Sequence, residues 1–107
     1  MANIYKNELV DLTTTDNTTI YTTPADSRAI IKSLLVSEDA GSGCDVTFTI
    51  TNAASAVFNL FKDKAIASKA TTELLTHPLV FEENEILKAQ ASAANQLHVI
   101  VSYLEIT

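Results

Sequence analysis

Arg28-Ala29-Ile30-Ile31-Lys32-Ser33-Leu34-Leu35-Val36 is the densest apolar run before the C-terminal end of the chain. Tyr21-Thr22-Thr23-Pro24 leads into it and Asp39-Ala40-Gly41-Ser42-Gly43 closes it. Read with period two, Ile30, Leu34 and Val36 share one face, and Ala29, Ile31 and Leu35 share the other. A strand that is apolar on both faces belongs in the middle of a sheet covered on both sides. The same residues also fit a helix, because Ile30, Ile31, Leu34 and Leu35 cluster at helical spacing and Asp26 or Ser27 would cap it. Periodicity alone does not decide between the two. The neighbouring segments favour strand.

Upstream, Ile4 to Leu12 alternates loosely and meets the polar turn Thr13-Thr14-Thr15-Asp16-Asn17, and Thr18 to Thr23 is rich in β-branched residues. Pro24-Ala25-Asp26 is a turn signal, and Pro24 biases Thr23 toward extended backbone. Downstream, Cys44 to Thr51 alternates most cleanly: Val46, Phe48 and Ile50 against Thr47, Thr49 and Thr51. It reads as a half-buried strand whose threonine face meets solvent or a neighbour. Ala56 to Phe61 is strand or short helix, with Asp63 ending it, and Ala65 to Leu75 is a weaker segment. His77-Pro78 turns the chain into the short strand Leu79-Val80-Phe81.

Glu82 to Gln96 has helical propensity in its Glu, Leu, Lys and Gln residues and four alanines. Against that, Glu83-Asn84 looks like a hairpin turn, with Ile86 to Ala89 as the returning strand and Ala93-Ala94-Asn95 as the next turn. The last strand, Leu97 to Ile106, sets Leu97, Val99, Val101 and Tyr103 against Ile100, Leu104 and Ile106. Eight or nine short strands at intervals of about ten residues are the pattern of a sandwich or barrel. The expected fold is all-β, a two-sheet antiparallel β-sandwich of about eight strands, with a jelly roll as one topology that fits. The rival is an α+β domain with a helix over Glu82 to Gln96.

With 107 residues, a single domain spanning 1–107 is expected, burying roughly 65% of the surface its unfolded form exposes. The composition, 47% hydrophobic and 19% charged, is that of a globular chain. No apolar run approaches the roughly 20 residues of a membrane helix. A net charge of −6 with seven scattered basic residues argues against a nucleic-acid partner, which needs clustered Lys and Arg. The single cysteine, Cys44, allows no intramolecular disulfide. The opening Met1-Ala-Asn-Ile-Tyr-Lys lacks the basic-then-apolar pattern of a signal peptide. Folding in a reducing cytoplasm is therefore expected, which makes the sequon at Asn17-Thr18-Thr19 a chance match.

Catalytic patterns are sparse. The only histidines are His77, beside Pro78, and His98, on the strand face opposite Leu97 and Val99. Gly41-Ser42-Gly43 lacks the nucleophile elbow and opens no helix, so it offers neither a triad serine nor a phosphate cradle. Cys44 beside Asp45 has no cationic neighbour in sequence to make a thiolate. Two histidines and one cysteine match no zinc spacing. The acidic turns at Glu38-Asp39 and Glu82-Glu83-Asn84-Glu85 lack a calcium-loop register. No catalytic, cofactor or metal residue is assigned, and an enzyme is not expected. A glycan-binding sandwich would need exposed aromatics, here Tyr5, Tyr21 and Tyr103 gathered round one pocket.

Several stretches together resemble small virion-associated proteins of tailed bacteriophages, notably marine and cyanobacterial ones. They are Asn3 to Asn7, Tyr21 to Ala25, Ala29 to Val36, Leu74-Leu75, Pro78 to Val80, Glu82 to Ala89, and Leu97 to Val99 with Ser102 to Glu105. Members usually carry Gly where Asn84 stands, and Asn also accepts a left-handed turn. The resemblance implies a β-sandwich structural protein located in the virion, and it turns the helical options at Ala29, Ala56 and Glu82 toward strand. The expected role is capsid decoration or cementing, as a homo-oligomer such as a trimer, against the major capsid protein. A tail, neck or fibre role is the alternative, and a host-glycan-binding module the next. Exposed apolar ends are costly on a monomer, so Ile4, Tyr5, Leu104 and Ile106 are the candidate interface residues.

Overall fold

A computed structural model describes residues 2–107, and among these every regular element is a β-strand. The nine strands are β1 (Asn3–Leu12), β2 (Thr18–Thr22), β3 (Arg28–Glu38), β4 (Cys44–Thr51), β5 (Val57–Ile66), β6 (Thr71–Glu73), β7 (Leu79–Phe81), β8 (Ile86–Ala91) and β9 (Leu97–Ile106). They form two antiparallel sheets packed face to face. One has the order β1-β9-β3 with β6 and β7 both on the outer side of β3, and the other the order β2-β8-β4-β5.

The wrapping follows from the pairing. Fold the chain into one long hairpin, and β4 lies on β5, β3 on β6 and β7, β2 on β8, and β1 on β9. Roll that hairpin up, and β9 meets β3 while β8 meets β4. With β6 and β7 counted as one interrupted strand, this is the eight-stranded jelly roll. The runner-up α+β reading fails, because Glu82 to Gln96 holds β8 and no helix. Its alanines serve the sandwich: Ala89 and Ala91 are buried between the sheets, where a larger side chain would collide.

The core lies between the sheets. Phe48, Phe81, Leu12, Ile31, Leu34, Ile66, Leu87 and Leu97 are its largest apolar members. Strand β9 alternates without a fault, with Leu97, Val99, Val101 and Tyr103 inward. β4 does the same with Val46 and Phe48. Its threonine face turns away from the core. Thr49 is nevertheless buried beneath the strands beside it, paired with Lys88 on one side and Asn59 on the other.

Four expectations are corrected. Strand β3 does not keep period two, because Ile31 pairs with Tyr103 and Ser33 with Ser102, leaving Lys32 as a bulge. The extra residue changes the parity, so Ala29, Ile31, Leu34 and Val36 all point inward and Ile30 and Leu35 both point outward. The strand is central, as expected, but its sheet is covered on one side only. Asp63 does not end β5. It takes the left-handed conformation (φ 50°) inside a second bulge opposite Thr47, where its amide donates to Thr47 Oγ1 at 3.0 Å. Finally, Glu83-Asn84 is not a hairpin turn. It carries the chain from β7 in one sheet to β8 in the other. Asn84 sits at φ 64° and donates its amide to Thr23 O, while Thr23 N donates to Glu85 O.

Candidate interaction surface

The outward face of the β1-β9-β3 sheet is built by register. Reading across β1, β9 and β3, Asn3, Ile106 and Arg28 form one row, and Tyr5, Leu104 and Ile30 the next, which Val80 of β7 extends. Asn7, Ser102 and Ser33 form a polar middle row. Leu9, Ile100 and Leu35 follow, extended by Glu73 of β6, and Asp11, His98 and Ser37 close the face. Two apolar rows therefore flank a polar one. Tyr5, Leu9 and Val80 are 76%, 69% and 65% exposed, and Ile30, Leu35, Ile100, Leu104 and Ile106 are half-buried only by one another and their flanks. Two exposed apolar rows on one sheet face make this the candidate interaction surface.

The sequence-derived candidates divide on this face. Tyr5, Leu104 and Ile106 lie on it, together with Leu9, Ile30, Leu35, Val80 and Ile100, which were not anticipated. Ile4 has the opposite parity, pairs with Glu105 and is 45% exposed at the sheet edge, so the structure does not gather it with the other three. The alternation of Ile100, Leu104 and Ile106 was readable along β9. What brought Leu9, Ile30 and Val80 beside them is cross-strand register, which single-strand patterns do not carry.

Charge marks the two ends of the face. Arg28 is exposed and makes no ion pair among the described residues. At the far end, His98 Nε2 lies 3.4 Å from Asp11 Oδ1, and its Nδ1 lies 3.6 Å from Asp39 Oδ2. His98 is thus a strand-face histidine between two carboxylates. His77 is exposed in the turn before β7. Cys44 is buried, with Sγ 3.3 Å from Ser92 Oγ. Among the described residues no three His, Cys, Asp or Glu side chains come together as a metal group.

Behind the face, three glutamates sit on the core side, Glu105, Glu8 and Glu38. Glu105 is 5% exposed. It accepts from Tyr21 Oη at 2.7 Å and from Lys6 Nζ at 2.9 Å, which together hold its carboxyl below the ordinary value. Burial and the adjoining carboxylate push the Tyr21 hydroxyl well above its usual range. Tyr103 stacks beside it, ring centroids 4.3 Å apart, and donates to Glu8 at 2.7 Å; burial first and Glu8 second raise it too. With Tyr21 and Tyr103 buried and Tyr5 facing out, the three tyrosines do not surround a pocket. Glu38 accepts from the amides of Lys69, Gly41 and Ser42 and so ties two loops to the end of β3, and the Lys69 bond does most to lower its carboxyl.

Compared with protein-family models and with curated proteins, the chain matches neither.

Proposed function

We propose that the chain is a non-enzymatic structural protein of a tailed-phage virion, decorating or cementing the capsid through contacts between subunits. The observation that carries this reading is the outward apolar face of the β1-β9-β3 sheet, with Tyr5, Leu9 and Val80 exposed on it. A folded domain that leaves such a face uncovered gains by packing it against another protein. The mechanism is passive. Added contacts across the face, and hydrogen bonds to the free edges of β1, β2 and β5, would hold neighbouring subunits against internal pressure. Two further observations support the reading. The resemblance above spans most of the chain, and the jelly roll is an architecture shared with viral capsid domains. That second support is an analogy of fold, and it applies equally to lectins.

The test is the composition of purified particles. Phage particles from a lysate whose genome encodes this chain, banded twice by density, should contain it in a fixed ratio to the major capsid protein. Image reconstruction should place it on the outer shell. Density at the tail, neck or fibres would select the appendage role. Finding the protein wholly in the soluble fraction, in no ratio to any particle component, would overturn the proposal.

A further inference from the structure

We infer that the outward face of the β1-β9-β3 sheet takes a second copy of this chain, packed face to face about a two-fold axis running along the Asn7-Ser102-Ser33 row. The inference rests on the reading above only in treating this face as a contact surface, and it names the partner. Rotation about an axis in the plane of the sheet and across the strands reverses the order of the rows. The Tyr5-Leu104-Ile30 row of one copy then lies on the Leu9-Ile100-Leu35 row of the other. Apolar meets apolar twice, as an isologous interface requires, because each patch must be complementary to itself. The polar middle row meets its own counterpart on the axis.

Charge at the two ends of the face favours the same arrangement, while Lys32, over the middle row, comes near its own counterpart. The first row carries Arg28, without an ion pair of its own, and the last carries Asp11 with Asp39 just beyond. Reversal places Arg28 of each copy over the Ser37 end of its partner's β3, which runs into Asp39. The alternative two-fold, along the strands, would set Asp11 over the acidic end of the partner and leave Arg28 without a carboxylate opposite. The face as a whole is close to neutral, Arg28 and Lys32 against Asp11, Asp39 and Glu73, although the chain carries a net charge of −6. Most of the acidic excess therefore points away from the contact, where like-charge repulsion is screened at physiological ionic strength.

The extent is also sufficient. At about 3.3 Å per residue and about 4.8 Å between strands, the face covers roughly 500 Å² in projection and more as accessible surface. A standard interface buries about 800 Å² per partner, which is the same order. Sheets packed in this way lie about 10 Å apart with strands within about 30° of each other, so the pair is a four-layer stack.

Sedimentation equilibrium on the purified full chain tests this. The mass should be that of two 11.6 kDa chains at concentrations near 100 µM. Tyr5→Lys, at a position exposed enough to leave folding intact, should shift the protein to a single-chain mass at the same concentration, and so should Leu104→Lys. Circular dichroism should be unchanged in Tyr5→Lys, which separates lost association from lost folding. Arg28→Glu should weaken the pair at least tenfold, and adding Asp39→Arg should restore it. A wild-type monomer, a three-chain mass, or a two-chain mass that survives Tyr5→Lys would each overturn the inference. A pair that forms while the protein is missing from particles would refute the virion reading alone.

Discussion

Glu105 occupies an inward position of β9, in register with Leu97, Val99, Val101 and Tyr103. A buried carboxylate is tolerated only when its oxygens are used and its charge is answered. Here Tyr21 serves one oxygen and Lys6 the other. Lys6 is 43% exposed, so its charge is partly screened and the Tyr21 bond carries more weight. Replacing Glu105 with Gln keeps the shape and removes the charge, and should cost about 1–3 kcal/mol at pH 7. The pH dependence has a definite sign. The folded carboxyl lies below the ordinary 4.5, so the stabilisation is present above about pH 4.5 and is lost as pH falls through the depressed folded value. Urea unfolding of the wild type and Glu105→Gln at pH 7 and pH 3 checks this. The gap between them should narrow at pH 3, and an equal gap at both would rule out the ionised carboxylate as its source.

Lys32 plays a different part, as the inserted residue that makes β3 face both ways correctly. Were Lys32 paired in the ladder instead of bulged out of it, Ala29 and Ile31 would lie on the face opposite to Leu34 and Val36, since a one-residue slip turns a whole segment over. Deleting Lys32 joins Ile31 to Ser33 opposite Tyr103 and Ser102, so both halves of the strand keep their faces and the cost should be small, about 1 kcal/mol or less. Lys32→Ala, which keeps the bulge, should change stability by less than about 0.5 kcal/mol. Denaturant midpoints of the two variants make the comparison. The same bulge explains what was and was not legible. The strands β4, β7 and β9 were readable because turns bound them and because the sequences of β4 and β9 alternate. The parity of β3 and the continuation of β5 past Asp63 were not, because a bulge is fixed by the partner strand's register. Asp63 in sequence is a breaker, and only Thr47 across the ladder makes it a bend. The interaction face was half legible for the same reason: its β9 members alternate visibly, while Leu9, Ile30 and Val80 join them only through pairing.

Across the whole molecule the pairing is non-local. β1 and β9 pair over their full lengths, from Asn3 with Ile106 to Leu12 with Leu97, although they stand at opposite ends of the chain. Closing so large a loop costs entropy before any contact repays it, and jelly-roll wrapping delays that closure until the inner hairpins exist. Refolding should accordingly take milliseconds to seconds rather than microseconds. Stopped-flow tyrosine fluorescence can follow it, since Tyr21 and Tyr103 come together only when the two sheets meet and no tryptophan interferes. A dominant phase in the microsecond range would contradict this order of assembly.

The joined ends have a mechanical meaning as well. Ala2 and Thr107 exchange backbone hydrogen bonds in both directions, at 3.2 and 2.9 Å, so the two ends leave the sandwich at one corner. Tension applied between them would act across the β1-β9 ladder, perpendicular to the strands and along its hydrogen bonds. Such a ladder opens one rung at a time, like a zip, and never has to yield in a block. A pull between Ala2 and Thr107 is thus met by one rung at a time, and the rest of the ladder lends that rung no help.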